Sequence, residues 1–134
     1  FAVHLGDFMY EYAADGYASA DAKTLGRVSD PANECVTLAD YRKRYAQYRS
    51  DPDSKVFFAS LPLIAVWDDH EVANDTYKDG AENHSSATEG SFAARRAAAM
   101  QAWHEWMPTR TGPDPAEAPT ARPVIKGSGR LPKE

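Results

Sequence analysis

Leu61-Pro62-Leu63-Ile64-Ala65-Val66-Trp67-Asp68-Asp69-His70-Glu71 is an apolar run that follows a proline and stops in four consecutive titratable side chains. The run is too short to cross a membrane and too continuous for a strand with one wet face. Its length and branched residues predict a buried strand in a sheet covered on both faces. Packing does not account for its acidic end. In open α/β sheets, ligands bind where strands leave the sheet at their carboxyl ends. Carboxylates crowded there repel one another unless a cation intervenes, so the pattern points to a metal site.

The N-terminus repeats the pattern. Phe1-Ala2-Val3-His4-Leu5 is a short apolar run, and Gly6-Asp7-Phe8-Met9-Tyr10-Glu11-Tyr12 follows it, with a glycine placed where the backbone must turn. Two strand ends, each carrying an aspartate, can face one another across neighbouring parallel strands. Oxygen and imidazole ligands of this kind suit iron, manganese, zinc or calcium.

Between the two runs lie a loop and two helices. Residues 13 to 36 are rich in Ala, Gly, Ser and Asp and read as a long loop, with a helical turn near Ala20 to Leu25. Thr37 with Asp40 forms a capping-box signal, and Leu38, Tyr41, Tyr45 and Tyr48 then recur at helical spacing. Arg42, Lys43, Arg44 and Arg49 are expected on the solvated faces, not as a nucleic-acid surface. Asp51-Pro52 starts a second helix that ends before Pro62, with Val56 and Phe57 or Phe58 inward. Strand, loop, helices, strand is a crossover unit, so the two strands are predicted to be parallel.

Beyond Glu71, residues 75 to 90 read as a polar loop in which His84 is a solvated side chain. Ser91 to Met107 is the clearest helix, alanine-rich and closed by Pro108, with His104 on its surface. From Thr111 to Glu134 prolines and glycines leave no apolar face, which predicts a disordered or extended tail. The expected division is therefore a domain over 1–110 and a tail over 111–134.

With 134 residues and 43% hydrophobic content, the chain can form one modest core. A net charge of −5 argues against a nucleic-acid-binding surface. No apolar run approaches the roughly 20 residues of a transmembrane helix. No signal-peptide pattern is present and the first residue is phenylalanine, so the expectation is that the gene product starts earlier. Cys35 is the only cysteine, which excludes an intrachain disulfide and reads as an unpaired thiol.

Four ordered motifs carry a resemblance to the alkaline phosphatase D family of metallophosphatases. They are Gly6 to Tyr12, Thr37 to Tyr45, Trp67-Asp68-Asp69-His70-Glu71-Val72-Ala73-Asn74-Asp75, and Glu105-Trp106-Met107-Pro108. The likeness covers roughly Phe1 to Arg110. It implies an α/β fold, part of a calcineurin-like metallophosphatase sandwich: two parallel strands with crossover helices and a long C-terminal helix. The resemblance also implies a set of roles. Asp7 bridges two metals and Tyr10 is a phenolate ligand to a ferric ion, although Tyr10 reads equally well as an aromatic packed beside the strand. Asp69 holds the second metal, with a further oxygen from Asn74. His70 contacts the phosphate or protonates the leaving oxygen, and Asp68 and Glu71 orient His70.

Iron and calcium are the implied metals, a phosphate ester is the implied substrate, and the implied location is extracellular, periplasmic or cell-wall associated. An aspartate/cysteine motif expected before Phe1 and later His or Asp ligands have no match here. The tail also departs from the family, where another strand would follow the Met-Pro motif, and resembles the product of truncation or a changed reading frame. The expectation is thus a phosphoric ester hydrolase that is weak or inactive alone, with the remainder of a phosphatase domain as a missing partner. The alternatives are a non-catalytic metal- or phosphate-binding remnant and an interaction domain.

Overall fold

The computed structural model describes residues 1–17 and 19–109; the tail expected over 111–134 lies outside the described residues. Two three-residue strands, β1 (Ala2–His4) and β2 (Leu63–Ala65), pair in parallel with Ala2 opposite Leu63, Val3 opposite Ile64 and His4 opposite Ala65. Between them run the long loop, α1 (Leu38–Ser50) and α2 (Pro52–Ser60). A 3-10 turn (Asp69–Glu71), α3 (Ser86–Glu89) and α4 (Phe92–Trp106) follow β2. The crossover makes both strands point the same way, so the segments that leave them emerge side by side.

Local chemistry sets the helix boundaries as the sequence predicts. Thr37 and Asp40 cap α1 reciprocally: the Asp40 backbone donates to Thr37 Oγ1 at 3.3 Å, and the Thr37 backbone donates to Asp40 Oδ2 at 2.8 Å. Asp51 caps α2 by accepting from the backbones of Asp53 and Ser54, with Pro52 at the first position. Ser91 caps α4.

The core lies between α1 and α4 and beneath the segment that leaves β1. Tyr41 and Tyr45 from α1 are fully buried, and Ala99, Ala102 and Trp103 line the facing stripe of α4. The alanines let the two helices approach closely, and the tyrosines and Trp103 fill the space beside them. Phe8 joins this core to the strands: its ring stacks on Tyr45 at 6.2 Å and meets Tyr48, Phe58 and His4 at 6.0, 5.7 and 5.5 Å.

Four expectations need correction. The central strand is not covered on both faces: Ile64 is 56% exposed, and Val3 opposite it 55%. Among the described residues the sheet has only these two strands, so its outer face has nothing to pack against. Val56 likewise points outward from α2, which leaves Phe58 as the inward residue.

Arg44 is not solvated but 1% exposed. Its guanidinium donates to the carbonyls of Tyr10, Tyr12 and Pro31, thereby tying the long loop to α1. A planar five-donor group can satisfy several loop carbonyls that no strand or helix pairs. The polar stretch 75–90 is also more ordered than its composition suggests, with a Tyr77–Gly80 bridge and α3. His84 there has a side chain only 3% exposed; it packs edge-on to Phe92 and pairs with Glu89 at 3.1 Å.

Because Arg44 satisfies carbonyls that would otherwise be orphaned, Arg44→Ala should destabilise the chain by about 3 kcal/mol. Arg42→Ala, which breaks an exposed pair with Glu105, should barely move the midpoint. Urea unfolding of the two variants checks this, and equal midpoints would contradict it.

Candidate metal centre

Gly6-Asp7 leaves β1 and Asp68-Asp69-His70-Glu71 leaves β2, and one buried carboxylate staples the two turns together. Glu71 Oε2 accepts from the backbone of Asp68 at 2.6 Å and of Asp7 at 3.1 Å, while Oε1 accepts from Phe8 at 2.6 Å. Burial pushes its carboxyl up to about 7, against the backbone donors that favour the anion. Glu71 is therefore the fastener of the site; it does not orient His70 as expected.

Asp68 accepts from the Asp69 backbone at 2.9 Å and begins the 3-10 turn. Gly6 permits the close approach. Its φ is +109°, and a Cβ there would stand 2.4 Å from Asp68 Cβ. Asp7 itself is held in the left-handed region at φ 55°, a cost of order 1 kcal/mol or more for a side-chain-bearing residue.

These constraints bring three predicted residues together. One donor atom from each of Asp7, Asp69 and His70 lies within 4.8 Å of the others. Tyr10 joins them, with its hydroxyl 3.4 Å from Asp7 Oδ2 and its ring 4.4 Å from that of His70. Asn74 is engaged differently: its amide nitrogen donates to Glu82 and its backbone to Glu11.

The residue that orients His70 is Glu11, which the sequence reading passed over. Its carboxylate is completely buried and accepts from His70 Nδ1 at 2.9 Å. The same carboxylate accepts from the Asn74 backbone at 2.7 Å and from Asn83 Nδ2 at 2.8 Å. Burial alone would raise the Glu11 carboxyl, but these donors, His70 foremost, hold it below its ordinary value. Burial would lower His70, but the Glu11 hydrogen bond and charge, aided by Asp69 and Asp7, hold it above its ordinary value. The pairing occupies Nδ1 and fixes the orientation of the ring, which leaves Nε2 as the nitrogen open to a ligand. The available signal was position: Glu11 lies four residues past Asp7, in the same turn that the aspartate made conspicuous.

The cluster fits a cation by two further observations. Asp7 Oδ1 is buried and has no hydrogen-bond partner among the described residues. Burial, together with the charges of Asp69 and Asp68, raises the Asp7 carboxyl despite the opposing pull of His70. An oxygen shielded from water, unpartnered and facing like charges is a poor arrangement for a lone carboxylate and a good one for a metal ligand. Tyr10 is also raised, by burial and then by Asp7, so its phenol keeps its proton unless a cation displaces it.

Comparison with known proteins identifies the family. The model of the PhoD-like phosphatase family matches residues 1–124. The chain belongs to the PhoD-like phosphatase family. It is 44% identical over 116 residues to alkaline phosphatase D of Bacillus subtilis (strain 168), a match that covers 83% of this chain and 19% of that protein. The solved structure of PhoD superposes with a TM-score of 0.69 at 42% identity, over 84% of this chain and 22% of that one. The chain thus spans about one fifth of the length of the PhoD-like relatives it matches. The family match extends past the composition boundary at residue 110, into residues outside the described set. No helix among the described residues is long and apolar enough to cross a membrane.

The proton affinities set a pH dependence for the metal-free chain. Glu71 rises from 4.5 to about 7 on folding, and His70 is also raised. Both bind protons more tightly when folded, so their contribution is complete at low pH and is lost as pH rises through the folded values. In the presence of a chelator, the urea midpoint should therefore fall between pH 5 and pH 8. A midpoint that rises over that interval would contradict these assignments.

Proposed function

We propose that this chain carries part of a metal-dependent phosphoric ester hydrolase site, built where β1 and β2 end. The observation that carries the reading is the convergence of Asp7, Asp69 and His70 within 4.8 Å around a buried, unpartnered Asp7 oxygen. On this reading Asp7 would be a ligand common to two cations, Asp69 would hold the second, and Tyr10 would serve a ferric ion as phenolate. Asn74 would add its amide oxygen, and iron and calcium would be the metals. Bound cations supply Lewis acidity toward the phosphoryl group and a nucleophile near neutral pH.

The protein's own residues do the rest. Glu11 holds His70 by Nδ1, so that Nε2 contacts the phosphate or delivers a proton to the leaving oxygen. Glu71 keeps the Gly6-Asp7 turn and the Asp69-His70 turn at a fixed separation, which preserves the relative placement of ligand and acid.

The parent activity is that of a phosphatase on phosphate esters, phosphomonoesters or phosphodiesters. The fold belongs to a two-sheet sandwich of which residues 1–110 form a part, with 111–134 as a separate tail. The exposed Val3 and Ile64 face supports that reading, because a second layer would cover it. Kinship supports an extracellular, periplasmic or cell-wall location. One observation favours weak or absent turnover in this chain alone: the described ligand set is small. A non-catalytic metal- or phosphate-binding remnant is the corresponding second reading.

Metal analysis of the purified chain, with p-nitrophenyl phosphate turnover on the same sample, tests both. Iron or calcium should bind, with affinity falling roughly 10–100-fold or more in Asp7→Asn, the range seen when a metal site loses a supporting group. Turnover should be weak or absent. A chain that takes up neither metal, or whose uptake ignores Asp7→Asn, would overturn the proposal.

A further inference from the structure

Beside the His70 cluster stand two tyrosines, Tyr12 and Tyr17, that neither the core nor the proposed chemistry uses. Tyr17 is 69% exposed. It is nevertheless fixed. Its ring stacks on Tyr10 at 5.7 Å and 25° and packs against Tyr12 at 5.7 Å and 42°. Tyr10 and Tyr12 in turn lean on the His70 imidazole at 4.4 and 5.5 Å. Tyr17 is thus two ring contacts from the imidazole that faces the phosphoryl position, and it presents an open face to solvent.

We propose that Tyr17, backed by Tyr12, is a subsite for the leaving group of the ester, and that the favoured leaving group is an aromatic ring joined directly to the ester oxygen. The inference rests on the reading of the His70 cluster as a phosphoryl site. Three features select this ligand class. The platform is aromatic and carries hydroxyl tips, so it offers π-faces and no aliphatic pocket; planar groups stack on such faces in offset or edge-on arrangements. It offers no cation, so a second phosphate or a carboxylate finds no partner among these rings. Its ring contacts hold Tyr17 within about 10 Å of the His70 imidazole, close enough for a group attached at the ester oxygen to meet it.

The rigidity of the cluster matters as much as its composition. A tyrosine already held on two neighbours loses little side-chain freedom when a ligand stacks on it, so more of the stacking energy appears as affinity.

The test is a set of titrations on the 134-residue chain with manganese present, using phenyl phosphate, methyl phosphate and inorganic phosphate as probes. Binding is read by calorimetry and by shifts of the tyrosine ring protons. Phenyl phosphate should bind about five- to tenfold more tightly than methyl phosphate, as expected for one stacked ring on a partly exposed platform. Tyr17→Ala should erase that preference while leaving inorganic phosphate unchanged, and Tyr17→Phe should retain it. Equal affinity for the two esters, or a loss in Tyr17→Ala that is the same for all three probes, would overturn the aromatic subsite and leave the phosphoryl site standing. No binding of any probe would overturn the phosphoryl reading itself, and the subsite with it.

Discussion

The structure depends on one carboxylate. Glu71 is buried, lies just past the end of β2, and takes hydrogen bonds from the backbones of Asp7, Phe8 and Asp68. A pair of three-residue strands has little intrinsic stability. Their ends stay together because this buried carboxyl group supplies acceptors to three amides that no ladder satisfies. Hydrogen bonds to a charged acceptor contribute about 1.5–3 kcal/mol each, and here they oppose, without cancelling, the burial that raises the carboxyl. The arrangement also explains Gly6, since the two turns can close only where no Cβ intervenes.

Around this fastener the chain uses buried charge where a larger protein would use sheet. Arg44 gathers loop carbonyls beneath α1. Arg95 on α4 donates to Tyr41 at 3.1 Å and to Glu34 at 2.6 Å, and Tyr41 donates in turn to the carbonyl of Val72, directly after the 3-10 turn. Glu11 closes the circuit from the other side by joining His70 to Asn83, which also reaches Glu34 at 3.1 Å. The helices therefore hold the metal-facing turns through paired polar groups as well as through the Phe8 and Trp103 core. Breaking such a network is costly because every member left behind is buried and unpaired.

Much of this was legible in the sequence where local chemistry decides. The capping box at Thr37 and the Asp51-Pro52 start are short-range hydrogen-bond patterns, and they form as read. The parallel pairing followed from the crossover connection, and the convergence of Asp7 with Asp69 and His70 followed from that pairing. What escaped were long-range partners. Nothing near Arg44 in the sequence announces that loop carbonyls will surround it, and an arginine on a helix ordinarily lies in solvent. The role expected of Glu71 falls to Glu11 for the same reason: adjacency to His70 in sequence suggested Glu71, while the fold delivers Glu11 from 59 residues away. The burial of the central strand was misread because an apolar run reports its preference for cover, not whether cover is present. Ile64 and Val3 keep that preference with one face open.

Amide hydrogen exchange tests the central claim most directly, since the three amides bound by Glu71 lie in two segments far apart in sequence. The account predicts that Asp7, Phe8 and Asp68 exchange slowly in the native chain and lose protection together in Glu71→Ala. Fast exchange at these amides in the native chain, or loss confined to Asp68 beside the substitution, would contradict it.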